Sequence, residues 1–205
     1  MDMNMNETRR KRFSMIRSFH VADLLTIANG CCGVSAVFHA MRHLTRDDSA
    51  HIALAACLVP AALVFDFLDG RVARWRHEAS PLGRELDSLA DVISFGVAPA
   101  TIGFAVGLST ALDQAILIFF VVCGVSRLAR YNITAEQLAD DTGKVRYFEG
   151  TPIPTSVAPL ALVLAAAATG TLLPVRVLGI PFHLVALLFL VSGSLMISTI
   201  RIPKP

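Results

Sequence analysis

The sequence predicts an all-α integral membrane protein with six transmembrane helices, and three observations carry that reading. Hydrophobic residues make up 54% of the 205 residues and charged residues only 17%, whereas a soluble domain carries about 25% charged residues. The mean hydropathy is correspondingly high, at +0.60. Six apolar stretches, at 21–41, 51–70, 87–107, 111–131, 153–173 and 178–200, match the roughly 20 residues that a helix needs to cross a bilayer. The basic residues gather on one side of these stretches. The same composition excludes a disordered chain, which lacks such apolar runs. Cys31, Cys32, Cys57 and Cys123 lie inside apolar runs, without the spacings of zinc, redox or disulfide frameworks, and read as small packing residues. A net charge of +2 gives no reason to expect nucleic acid as a partner.

Residues 1–20 are expected to form a basic cytoplasmic, juxtamembrane segment, and 21–205 a single six-helix membrane domain. Within the first part, ETRRKRFSMIRSFH at 7–20 mixes basic residues with Phe13, Met15, Ile16 and Phe19. It reads as a short amphipathic segment on an anionic leaflet, or as a basic topogenic tail without fixed structure. It does not read as a cleaved signal, because the apolar run continues to Met41 without a small-residue cleavage site.

Arg9, Arg10, Lys11, Arg12 and Arg17 precede the first span, and Arg71, Arg74, Arg76 and Arg84 follow the second. Arg127, Arg130, Lys144 and Arg146 accompany the end of the fourth span and the polar stretch 132–150, and Arg201 and Lys204 follow the sixth. The opposite side holds Arg42, Arg46 and Arg176, with His39, His43 and His51 as boundary residues. Lys and Arg stay cytoplasmic, so both termini are placed inside, as an even number of spans requires. The protein is expected as a multi-pass component of the cell's inner or plasma membrane.

Acidic residues interrupt this pattern where the second and third spans meet, in FDFLDGRVARWRHEASPLGRELDSLADVISFGVAPA at 65–100. Asp66 and Asp69 are three residues apart and Asp87 and Asp91 four apart, so each pair shares one helix face. If the two helices are antiparallel neighbours, all four carboxylates converge at the cytoplasmic boundary. Each costs roughly 2.5–3.5 kcal/mol at the centre of a spanning helix, less near the interface, and mutual repulsion adds to that. Divalent cations offset both effects, and an all-oxygen donor set suits Mg2+, Mn2+ or Ca2+. Two carboxylates from each helix point to two ions. Solvated helix caps and a cation-transport pathway are the other readings of the acids alone.

The full spacing is Asp66-x2-Asp69-Gly70-x2-Ala73-Arg74-x8-Gly83-x3-Asp87-x3-Asp91, and it resembles the signature of the CDP-alcohol phosphotransferase family. That resemblance implies a six-helix membrane enzyme in which an alcohol displaces CMP from a CDP-linked lipid. It assigns Asp66, Asp69, Asp87 and Asp91 to the metals and makes Asp91 also the base that accepts the hydroxyl proton. Arg74 would pair with a phosphate oxygen, Gly70 and Ala73 would let the nucleotide approach the helix, and Gly83 would clear space beside the third span. Ser80 would cap the loop or touch a phosphate. The family's usual Pro-Asn-x-x-Thr start stands here as Ala22-Asp23-Leu24-Leu25-Thr26. Asp23, Thr26 and Asn29 are therefore candidates for the nucleotide or, equally, for hydrogen bonds between helices.

TIANGCCGVSAVF at 26–38, LDSLADVISFGVAPA at 86–100, SRLARYN at 126–132 and YFEGTPIPTSVAP at 147–159 are similar to the phosphatidylserine synthase branch of that family. The resemblance implies CDP-diacylglycerol and L-serine as substrates, membrane lipids as surroundings and a homodimer. Arg127, Arg130, Asn132 and Glu149 are the candidate serine contacts, with Arg127 and Arg130 also readable as snorkelling anchors. Gly150 to Pro154 would form a rigid entry to the fifth span. Glycerol 3-phosphate and inositol phosphate stand as other acceptors, and they call for a denser cationic pocket than residues 127–146 supply.

Overall fold

A computed structural model describes residues 21–46, 48–76, 81–139, 147–177 and 179–203. The expected basic segment at 1–20, with its amphipathic stretch at 7–20, and Ser80 lie outside the described residues. Helix α1 spans Val21–Arg46, α2 Ser49–Arg76, α3 Pro81–Asp91, α4 Ala98–Ala105, α5 Ala111–Ala139, α6 Val157–Ala168 and α7 Leu187–Ile197. Residues Val92–Val97 form a π-helical stretch that joins α3 to α4 without a break. Single 3-10 turns, Ile153–Ser156 and Leu184–Ala186, lead into α6 and α7. Strand β1 (Tyr147–Glu149) pairs antiparallel with β4 (Arg201–Pro203), and β2 (Pro174–Val177) with β3 (Ile180–His183).

Among the described residues, four helical runs are long and apolar enough to cross a membrane: Val21–Arg46, Ser49–Arg76, Pro81–Ala105 and Ala111–Ile133. The chain is thus a largely helical membrane protein. Phe38, Val64, Ile118, Val122, Leu162 and Val191 are exposed, as residues that face lipid would be.

The helix ends differ from the sequence expectation in informative ways. Helix α2 continues past Gly70 to Arg76, because no breaker follows and Arg74 and Arg76 favour the negative end of the helix dipole. Pro81 opens α3, a position where its missing N–H costs nothing. The signature therefore lies on two helices, with only 77–80 between them. The last two expected spans are shorter than drawn. Helix α6 stops at Ala168, before Gly170 at φ 66. Residues 174–183 pair as a hairpin around Gly179 at φ 82, so the last apolar helical run covers only Leu184–Ile197. Pro174, Pro181 and the β-branched Val175, Val177 and Ile180 explain that choice. Buried Asp113, at the start of α5, anchors this hairpin. It accepts bonds from the His183 backbone N–H at 2.9 Å and the Thr110 hydroxyl at 2.7 Å, and its Oδ2 lies 2.7 Å from His183 Nδ1.

Helix α1 is the hub, packing against α2, α3, the π-helical stretch and α4. Its buried face carries Ala22, Asp23, Thr26, Asn29, Gly33, Ala36 and Ala40, and from Asp23 on these are spaced three or four apart as one helical stripe. Small residues let backbones approach closely in membranes, and Gly33 is the extreme case. A Cβ there would lie 2.5 Å from Ser94 Oγ and 2.8 Å from Ser94 Cα. At Gly30 the nearest atom would be Ala90 Cβ at an ordinary 3.5 Å.

Gly33→Ala should therefore destabilise the protein by roughly 1–3 kcal/mol, the usual range for overpacking, while Gly30→Ala should be close to neutral. Thermal unfolding in detergent compares the two, and equal melting temperatures would contradict the close contact at Gly33.

Candidate active site

Asp66 and Asp69 stand on α2 and Asp87 on α3, and each offers a carboxylate oxygen within 4.8 Å of the other two. Asp91 ends α3 one turn beyond Asp87, directly before the π-helical stretch. Its charge interacts with those of Asp66, Asp87 and Asp69, so the four carboxylates form one electrostatic unit. Asp69 and Asp91 are each only 6% exposed, while Asp66 and Asp87 are half-buried. A π-helical insertion shifts the angular register of the residues beyond it and recurs at functional sites. Here it comes immediately after the fourth carboxylate.

Helix α1 supports the cluster from the other side. Thr26 Oγ1 donates to Asp69 Oδ2 at 2.7 Å, and Asn29 Nδ2 donates to Asp91 Oδ1 at 3.1 Å. The Asn29 backbone carbonyl in turn accepts the Ser94 hydroxyl at 2.9 Å, which ties α1 to the π-helical stretch. Asp23 is 4% exposed and close enough to Asp69 for their charges to interact. The three polar residues of the first span thus converge on the acidic cluster, and Thr26 and Asn29 place hydrogen bonds there, where the sequence leaves nucleotide contact and interhelical bonding open.

The donor set suits a hard divalent cation. Three oxygens from three residues lie within one coordination sphere's reach. Asp87 Oδ1 is buried with no hydrogen-bond partner among the described residues, as expected of an oxygen oriented toward a ligand rather than toward protein.

The remaining sequence candidates fall around this centre. Gly70, Ala73 and Arg74 follow on α2, and a Cβ on Gly70 would meet the Arg74 guanidinium at 3.6 Å. Arg74 is exposed, and Ala73 and Gly83 are half-buried. Arg127 of α5 is 8% exposed, interacts with the charge of Asp91, and sets its guanidinium carbon 6.0 Å from the Tyr131 ring centroid. Arg130 lies one turn further on and is half-buried. Asn132 ties α5 to α3: its Nδ2 lies 3.3 Å from both Glu85 carboxylate oxygens and 3.0 Å from Ser88 Oγ. The Glu149 backbone pairs with Arg201 in β1–β4, and its side chain lies outside the described residues. Gly150 has φ 73, and a Cβ there would overlap the Met196 carbonyl oxygen, so this turn requires glycine.

Ser94, Ser88 and Glu85 are not singled out by the sequence. They lie inside recognisable stretches, but only the packing of α1 and α5 on α3 reveals their partners. An apolar groove of about 420 Å³ runs from Thr26 between α1 and α3, lined by Ile27, Val34, Leu86, Leu89 and Ile93 among others.

The structure thus brings four aspartates from two consecutive helices to one place in a helical membrane protein. Residues 19–197 match the model of the CDP-alcohol phosphatidyltransferase family, and the chain belongs to that family. It is 45% identical over 206 residues to the CDP-diacylglycerol–serine O-phosphatidyltransferase of Saccharomyces cerevisiae, covering 94% of this chain and 74% of that one. Proteins of the same name from Helicobacter pylori and Mycobacterium leprae are 41% and 34% identical, over 62% and 69% of this chain. The chain spans 53% and 45% of those two relatives' lengths.

Hydrogen bonds to charged groups contribute about 1.5–3 kcal/mol, so Thr26→Val should weaken Mn2+ binding by roughly tenfold, with Thr26→Ser close to wild type. Titration of the purified protein with Mn2+, followed by electron paramagnetic resonance, measures this. Unchanged affinity in Thr26→Val would remove Thr26 as a support of the cluster.

Proposed function

We propose that the protein is a CDP-diacylglycerol–serine O-phosphatidyltransferase, which transfers the phosphatidyl group from CDP-diacylglycerol to L-serine and releases CMP. The observation that carries this reading is the position of Asp91. It adjoins the three-carboxylate cluster, is held by Asn29, and lies within electrostatic reach of buried Arg127. Family membership and the names of the relatives support the reaction class and the acceptor.

In this reading the CDP-lipid lays its acyl chains along apolar helix surfaces such as the groove between α1 and α3, with its diphosphate against the aspartates. Asp66, Asp69, Asp87 and Asp91 would hold Mg2+ or Mn2+, which when bound neutralise the diphosphate and stabilise CMP as it leaves. Gly70 and Ala73 keep the α2 surface low beside the nucleotide, and Arg74 pairs with a phosphate oxygen. Arg127, with Arg130 beside it, binds the serine carboxylate and directs the hydroxyl to Asp91. Asp91 accepts the hydroxyl proton as the serine oxygen bonds to the phosphorus that carries the diacylglycerol. The bond from that phosphorus to the oxygen of CMP breaks in the same displacement. Transfer is direct, so no covalent enzyme intermediate forms.

The distribution of basic residues supports cytoplasmic termini and a site open to the cytoplasm, from which serine arrives. Pairing of two copies through lipid-facing helices is carried by the family resemblance alone.

CMP release from CDP-diacylglycerol with Mg2+ or Mn2+ tests the reading across serine, glycerol 3-phosphate, inositol phosphate and choline. Serine should be the preferred acceptor. Release with glycerol 3-phosphate instead would overturn the acceptor, and no release with any of them would overturn the enzyme class. Asp91→Asn should lower turnover by at least 10²-fold, the lower end of general-base contributions, while CDP-lipid still binds; full turnover in that variant removes Asp91 as the base.

A further inference from the structure

The acidic face of α3 is held from two sides, and one of the residues that hold it lies on α5, outside both the Asp66–Asp91 signature and the first span. Residues turn by about 100° each along a helix, which sorts the positions of α3 into sectors. Ala90 faces α1, where a Cβ on Gly30 would lie 3.5 Å from Ala90 Cβ. Glu85 and Ser88 face α5, where both reach Asn132, and they stand close to the opposite side of the helix from Ala90. Asp87 and Asp91 occupy the sector between. Rotation of α3 between its two neighbours would therefore carry both carboxylates away from Asp66 and Asp69 on α2.

Each side supplies one asparagine. From α1, Asn29 Nδ2 donates to Asp91 Oδ1 at 3.1 Å, which holds the last turn of α3. From α5, Asn132 Nδ2 lies 3.3 Å from both Glu85 carboxylate oxygens and 3.0 Å from Ser88 Oγ. The Ser88 hydroxyl in turn lies 3.3 Å from Asn132 Oδ1. A side-chain amide offers two N–H donors and one carbonyl acceptor, so Asn132 grips two positions a turn apart on α3. Asp87 falls between these two holds. Its Oδ1 is buried with no hydrogen-bond partner among the described residues, so the backbone of α3 aims that oxygen, not a bond of its own.

We propose that Asn132 is a positioning residue of the metal site: by fixing the rotation of α3 against α5, it keeps Asp87 within reach of Asp66 and Asp69. This rests on the reading of the four aspartates as a divalent-cation site. It also replaces the direct serine contact expected of Asn132, whose amide is engaged by α3. Residues that orient metal ligands directly change metal affinity by about 10–100-fold when removed. Asn132 acts one step further out, through the helix backbone, so its effect is smaller.

Mn2+ titration of the purified full-length protein, followed by electron paramagnetic resonance, tests this without depending on turnover. Asn132→Leu and Ser88→Ala should each weaken Mn2+ binding by roughly three- to tenfold, with the melting temperature as in wild type. The double variant should bind no more weakly than Asn132→Leu alone, because both changes remove the same link. Glu85→Gln keeps an oxygen for the Asn132 amide and should stay within about twofold of wild type. Unchanged Mn2+ affinity in Asn132→Leu overturns the proposal, and a raised KM for L-serine at that unchanged affinity returns Asn132 to the acceptor. Additive losses in the double variant, or losses that track a falling melting temperature, also overturn it. A wild-type protein that binds no Mn2+ overturns the metal-site reading and this role with it.

Discussion

Repulsion among four carboxylates confined to one junction between helices is the constraint to which the rest of the structure answers. Two unit charges 4.8 Å apart repel by about 3 kcal/mol at an effective dielectric of about 20. Asp66, Asp69 and Asp87 alone make three such pairs, and Asp91 adds its own interactions with all of them. Two hydrogen bonds from α1, to Asp69 and Asp91, cannot offset that sum. In the proposed function, bound divalent cations supply the compensating charge, and the helices hold the four carboxylates rigidly in place for them.

That rigidity comes from backbone proximity. Helix α1 approaches the π-helical stretch so closely that Gly33 has no room for a methyl group beside Ser94. Ser94 bonds the carbonyl of Asn29, and the Asn29 amide holds Asp91. One contact of small residues thereby fixes the angle of the carboxylate nearest the proposed proton transfer. At the far end, Asp113 and His183 fasten the β2–β3 hairpin to α5. Around Gly150, backbone bonds to the α7 region tie the turn before α6 in place. The hairpin and this turn are thus both fastened by hydrogen bonds within the protein.

Much of this is legible in the sequence, and the limits have physical reasons. Pairs spaced three and four apart place the aspartates on shared faces of two helices, and the structure brings those faces together. Apolar runs locate the helices but not their ends. Hydropathy cannot distinguish a polar helix from a loop, so it ends α2 at Gly70 although arginines carry the helix to Arg76. Nor does it separate an apolar strand from an apolar helix, so the residues of β2 and β3 read as a span boundary and the start of the last span. Partners distant in sequence are beyond its reach. Nothing local pairs Thr26 with Asp69, or Asn132 with Glu85 and Ser88, because those bonds arise from the packing of helices separated by dozens of residues.

Anomalous scattering from a structure of the full protein determined with Mn2+ addresses the central point most directly. Anomalous density should lie among Asp66, Asp69, Asp87 and Asp91 and be lost in Asp69→Asn. Density ligated elsewhere, or none at Mn2+ concentrations that support CMP release, would contradict the assignment of the four aspartates as the protein's metal site.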